Sequence, residues 1–157
     1  MKQKIKVYAF FILSALTVGG LSAFFTRNNM DINNDLLMPP ISPPPILFPI
    51  VWTILFILMG ISAAMIYTSD APNAQKYSAL KIYALSLAVN FSWNLVFFNL
   101  RWFGFAFFWL LFLLLLIIIT IFKYFKINRI AAYLQIPYAL WVTFAGYLTA
   151  GIWWLNR

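Results

Sequence analysis

The chain contains no glutamate, no histidine and no cysteine, and its only acidic residues are Asp31, Asp35 and Asp70. Without cysteine there is no disulfide framework, and the redox compartment cannot be read from the sequence. Metal centres draw on His, Cys, Asp or Glu, and three aspartates in polar stretches do not make a ligand set, so no metal is expected. The same absences remove Ser-His-Asp and Cys-His nucleophile sets and any paired carboxylates inside an apolar segment. No glycine-rich phosphate loop is visible. The apolar runs also hold no lysine or acid able to relay protons or ions. These gaps speak against a conventional hydrolase, kinase, ion pump or proton-coupled carrier.

What is present is apolar. The chain of 157 residues is 64% hydrophobic and 20% aromatic but only 9% charged, far from the balance of a soluble domain. A spanning helix needs about 20 mostly apolar residues, and five stretches qualify: about 7–25, 46–67, 82–98, 102–122 and 130–154. The reading is all-α, a single membrane domain over 1–157 built as an integral bundle of five transmembrane helices. The first stretch is too long for a signal-peptide core and lacks a clear cleavage pattern, so it is read as a span. The formal charge of +8 is spread between the apolar runs rather than gathered in a patch. It therefore points to topology and anionic headgroups, with membrane lipids as partners and no nucleic acid.

Lys2, Lys4, Lys6, Lys76, Lys81, Lys123, Lys126 and Arg129 fall on one side of such a bundle, and only Arg27, Arg101 and Arg157 on the other. This bias predicts a multi-pass protein of a bacterial inner, cytoplasmic membrane with its amino terminus inside and its carboxyl terminus outside. The long loop 26–45 then lies outside. Its cluster of Asn28, Asn29, Asp31, Asn33, Asn34 and Asp35 favours turns, and Pro39, Pro40, Pro43, Pro44 and Pro45 stiffen the approach to the second span. The loop is read as a linker or as a shaped cover.

Polar groups inside hydrocarbon need a reason. Asn90 and Asn94 share a helical face that Phe97 and Phe98 continue; they either bridge helices or line a cavity. In the second span Trp52, Phe56 and Gly60 recur at steps of four, and in the fifth Trp141, Ala145 and Leu148 recur at helical spacing after Pro137, where a kink is expected. Large rings beside small residues either make a slot for a flat ligand or simply pack. Two small-residue stripes, Ala15–Gly19–Ala23 and Ala84–Ala88, permit close helix contact or dimerisation.

Three motifs carry a family resemblance. The run from Pro43-Pro44-Pro45 through Phe48-Pro49-Ile50-Val51-Trp52 to Met59-Gly60, then Asn90-Phe91-Ser92-Trp93-Asn94 with Phe97-Phe98, then Gln135-Ile136-Pro137-Tyr138 through Trp141 to Ala145, resembles the signatures of the TspO/MBR family of tryptophan-rich sensory and translocator proteins. The resemblance implies a five-helix bundle, often a homodimer, with a cavity beneath the first loop. It implies that Trp52, Asn90, Trp93, Trp141 and Ala145 line or frame that cavity; Pro44, Phe56 and Leu148, beside them in the same motifs and spans, are taken as further ligand-binding candidates. The ligands implied are porphyrins such as protoporphyrin IX, sterol-like lipids, and benzodiazepine-site ligands including isoquinoline carboxamides. No cofactor is required; porphyrin would be ligand or substrate. Ile46, Phe56, Gly146 and Thr149 depart from the family pattern at positions where tryptophan, tyrosine, threonine and asparagine are common. Thr149 speaks against sterol binding.

The leading functional expectation is a membrane receptor or sensor of porphyrins and other flat hydrophobic ligands. A second is light- and oxygen-dependent porphyrin degradation, with Trp52 and Trp141 as the catalytic residues. Porphyrin or lipid transport is a third. Arg27, on the side of the long loop, is expected to pair with a porphyrin carboxylate at the cavity mouth.

Overall fold

A computed structural model describes residues 1–31 and 34–157; Asn33 of the loop cluster lies outside them. The described chain is helical, and five long helices carry it: α1 (Lys2–Thr26), α2 (Leu47–Tyr67), α3 (Asn73–Asn94), α4 (Phe103–Phe125) and α5 (Arg129–Leu155). Four of them, α1 to α4, are long and apolar enough to cross a membrane by length and composition. α5 is long enough, but Gln135, Pro137 and its tyrosines and tryptophans dilute its apolar character. The molecule is thus a membrane protein built as a helical bundle.

The helices begin and end where charge and backbone chemistry allow. α3 starts at Asn73, nine residues before the apolar run at 82, because Lys76 and Lys81 continue the helix beyond the apolar window. Asn128 caps α5, its Oδ1 accepting the Ala131 N–H at 3.1 Å. α5 continues unbroken through Pro137. At the far end of α3 the chain widens into a π-helical turn, Leu95–Asn99, with the Leu100 N–H donating to the Leu95 carbonyl. Arg101 then takes a left-handed backbone, φ 53°, and turns the chain into α4.

The connections after α2 are short, and only the loop between α1 and α2 is long. α1 packs on α2, α2 on α5, α5 on α4 and α4 on α3, with lighter contacts from α3 back to α1 and α2. The ring order is therefore α1–α2–α5–α4–α3. Ala15 and Gly19 of the stripe face inward, since Ala15 is fully buried and a Cβ on Gly19 would strike the Phe56 ring at 2.5 Å, while Ala23 is exposed at the cavity wall. Gly60 is what lets α1 and α2 touch, since a Cβ there would meet the Ile12 Cα at 2.5 Å. Ala84 and Ala88 lie on the exposed surface instead.

The half of the bundle nearer the amino terminus is solid. Met59, Ala63, Ile66, Tyr83, Leu113, Ile117, Tyr124 and Ala131 fill it. Its buried polar groups cross between helices: the Ser62 hydroxyl donates to the Ala131 carbonyl at 2.7 Å, and the Gln135 amide donates to Ser62 Oγ at 3.2 Å. Such bonds join α2 to α5 where water cannot compete.

Candidate ligand cavity

The other half of the bundle, beneath the long loop, encloses a cavity of about 310 Å³. α1 contributes Gly19, Ser22, Ala23 and Thr26, whose small side chains set the wall back. α2 supplies Phe48, Pro49, Trp52 and Phe56; α3 and its π-turn supply Asn90, Trp93, Asn94, Phe97 and Phe98; α5 supplies Trp141, Ala145, Leu148, Thr149 and Ile152. Met30, Met38 and Pro45 close it from the loop, which acts as a cover rather than a linker.

Seven of the eight residues singled out in the sequence meet here: Trp52, Phe56, Asn90, Trp93, Trp141, Ala145 and Leu148. Pro44 does not. It is exposed at the entry to α2, where its carbonyl accepts the Leu47 N–H at 3.0 Å, and the next residue, Pro45, takes the place at the wall. Proline stiffness fixes the path of the segment but does not tell which of three consecutive rings faces inward. Arg27 is also not at the wall: its guanidinium lies 4.2 Å over the Phe24 ring on the exposed face of the bundle. The α1 and loop residues of the wall carry little signal in the sequence; the Ala15–Gly19–Ala23 stripe, whose spacing suggests helix contact, is the one trace of the α1 wall.

The aromatic wall is held by ring-on-ring contact. Trp52 stacks on Phe56 with centroids 5.6 Å apart and also meets Tyr138 edge-on at 6.1 Å. Trp93 stacks on Phe97 at 5.2 Å, and Trp141 meets Phe48 and Phe144 at 5.8 and 5.6 Å. Such pairs are worth roughly 0.5–1.5 kcal/mol beyond their buried area. The indole N–H groups of Trp93 and Trp141 are buried with no partner among the described residues. Each such donor costs about 1–3 kcal/mol, so what these tryptophans contribute to the wall is the contact of their ring faces.

Asn90 forms the floor and joins both readings of the asparagine pair. Fully buried, it donates from Nδ2 to the Tyr138 hydroxyl at 3.0 Å and so ties α3 to α5, while also lining the cavity. Asn94 donates back to the Asn90 carbonyl at 3.0 Å. Thr149 and Thr26 spend their hydroxyl protons on carbonyls four residues earlier, Ala145 and Ser22, at 2.7 and 2.8 Å. Among the described residues no charged side chain lines the wall. The site offers a flat apolar slot with little hydrogen bonding and no acid or base.

Side-chain bonds hold the cover, among them one from the Ile41 N–H to the Tyr147 hydroxyl at 3.4 Å. The Asn156 side chain accepts the Leu37 N–H and donates to the Leu37 carbonyl, both at 2.9 Å. Arg101 pairs with Asp35 at 3.2 Å. Asn99 accepts from Asn29 at 3.0 Å and donates to the Phe25 carbonyl at 3.0 Å, tying the start of the loop to the π-turn. Gly151 seats the loop closely, since a Cβ there would strike Pro39 at 2.7 Å.

The profile of the TspO/MBR family matches residues 10–155. The chain is 31% identical over 157 residues to the tryptophan-rich protein TspO of Chlorobaculum tepidum, covering 99% of both chains. It is 30% identical over 154 residues to protein CrtK of Rhodobacter capsulatus, covering 98% of this chain and 95% of the relative. To the bovine translocator protein it is 30% identical over 141 residues, covering 88% of this chain and 83% of the relative. The match takes in the three motifs whose residues build the cavity wall, and the chain belongs to the TspO/MBR family.

Proposed function

We propose that this protein is a membrane receptor or sensor that binds flat hydrophobic ligands, porphyrins and isoquinoline carboxamides among them, in the cavity beneath the long loop. The observation that carries the reading is a wall of stacked aromatic rings around a space with no charged lining. Stacking and apolar contact suit a planar ligand, and about 310 Å³ is the lower end of the range for ligand pockets. A carboxamide-sized molecule fits that volume. A porphyrin ring is larger, so it would leave part of its edge at the mouth, and its carboxylates belong there because burying them unpaired is costly.

The fifth helix completes the wall, and we take it as the fifth span, with the basic end of the bundle on the cytoplasmic side of a bacterial inner membrane. The exposed Ala84 and Ala88 face of α3 is compatible with a homodimer. A second reading, light-driven oxidation of bound porphyrin, draws on one observation: Trp52 and Trp141 are both at the wall. There an excited ligand and oxygen would supply the reactivity while the protein supplies position.

The test is a dark titration of the purified protein with protoporphyrin IX, following tryptophan quenching and the Soret band together. Saturable quenching with a Soret shift, weakened by Trp141→Ala, is expected. Linear quenching equal to that in protein-free detergent would end the reading. Illumination of the complex then separates binding from degradation: Trp52→Phe and Trp141→Phe should retain binding and lose photodegradation if the second reading holds.

A further inference from the structure

A second concavity lies at the opposite end of the bundle, on the outer face between α1 and α2. Gln3, Lys6, Val7, Phe10 and Phe11 of α1 line it together with Tyr67, the last residue of α2. The α1 residues follow at helical spacing along one face, and their chemistry changes along it. Gln3 and Lys6 stand at the helix terminus; Val7, Phe10 and Phe11 continue toward the middle of the span. Polar at the membrane edge and apolar toward the core is the polarity of a phospholipid standing in its leaflet.

The charge at this end fits an anionic headgroup. Lys2, Lys4, Lys6, Lys76, Lys81, Lys123, Lys126 and Arg129 gather at the helix ends here, against Asp70 as the sole acid of this end. Lys6 is exposed, and its ammonium has no hydrogen-bond or ion-pair partner among the described residues. The carboxyl end of α2 would by itself repel an anion, because its last carbonyls carry partial negative charge. Lys76 cancels that repulsion: its Nζ donates to the Tyr67 carbonyl at 3.3 Å and to the Ser69 carbonyl at 3.1 Å. Tyr67 in turn is held against Phe11, with ring centroids 5.6 Å apart, which fixes the groove's far wall.

We propose that this groove is a site for one anionic phospholipid, its phosphate on Lys6 and its acyl chain along Phe10 and Phe11. The site is independent of the cavity beneath the loop and of whatever binds there. It sets a cation beside an apolar channel, so it distinguishes headgroup charge while using the chain for affinity. One lysine at a membrane surface supports a preference of about fivefold for an anionic lipid.

The experiment is native mass spectrometry of the full chain in detergent, titrated with phosphatidylglycerol and phosphatidylcholine of identical acyl chains. The wild type is expected to take its first phosphatidylglycerol about fivefold more tightly than phosphatidylcholine. Lys6→Gln should reduce that preference to near unity, whereas Lys126→Gln, the same charge change at the end of α4, should leave it. Phe10→Ala should weaken both lipids alike. Equal affinity for the two lipids in the wild type would overturn the proposal. So would equal losses in Lys6→Gln and Lys126→Gln, which would mean diffuse attraction to a basic face rather than a site.

Discussion

The two halves of this bundle share five helices and differ in what those helices enclose. Toward the amino terminus, tyrosines, leucines and methionine interlock, and polar side chains are spent on bonds between helices. Beneath the long loop the aromatic residues are as plentiful but stand around the edge of a space. The difference lies in the partners. In the solid half large side chains are met by Ala63, Ala79 and Ala131 lying close against them. In the other half Gly19, Ala23 and Ala145 set the wall back, and Trp52, Trp93 and Trp141 lean on Phe56, Phe97 and Phe48 instead of crossing the gap. Asn90 and Tyr138 mark the border. The same residue types therefore fill or frame according to which neighbours are small.

The largest effect expected on this comparison comes from the close approach of α1 and α2. Gly60→Leu would drive a side chain into the α1 backbone at Ile12. Little folded protein should survive purification, read by size exclusion and thermal melting; a variant as stable as the wild type would mean that α1 is not packed as described. Leu113→Ala, in the solid half, should cost about 2–5 kcal/mol of stability with ligand affinity unchanged once the protein is folded. An affinity loss as large as the stability loss would mean that the two halves are not separable.

Smaller effects belong to the cover. Asn156→Ala removes both bonds to Leu37, worth about 0.5–1.5 kcal/mol each at most. It should speed ligand release roughly three- to tenfold and lower the melting temperature by a few degrees. Unchanged release would assign the cover no part in retention. Arg101→Gln breaks a pair that is exposed on both sides. It should change stability by about 1 kcal/mol or less, and the change should shrink further at high salt.

Four of the five expected spans answer, by length and composition, to the long apolar runs that hydrocarbon demands; the fifth helix, diluted by polar and aromatic residues, does not. The rings of the site were legible too, since Trp52, Phe56, Trp93 and Trp141 sit in motifs whose spacing places them on inward faces. What could not be read was which small residues face the rings. Gly19 and Gly60 are both small residues on apolar helices, yet one lies at the wall and the other against a backbone. The π-turn at Leu95–Asn99 is equally silent in sequence, because Leu95, Val96, Phe97 and Phe98 are all apolar and leave no period whose shift could be seen. Pro44 was misplaced by a single residue for the same reason: three prolines in a row carry no phase.

The central claim is that the cavity beneath the loop is where a flat ligand binds. Its most direct test is Ala145→Phe, which places a ring in that space beside Trp141 and Leu148. Protein in lipid nanodiscs is titrated in the dark with an isoquinoline carboxamide, following tryptophan quenching, alongside the thermal stability of each variant. Saturable binding to the wild type is expected, with loss of at least a hundredfold in affinity in Ala145→Phe (about 2.7 kcal/mol) and a melting temperature at or above that of the wild type. Equal saturable binding to both proteins would place the ligand elsewhere and contradict the central claim.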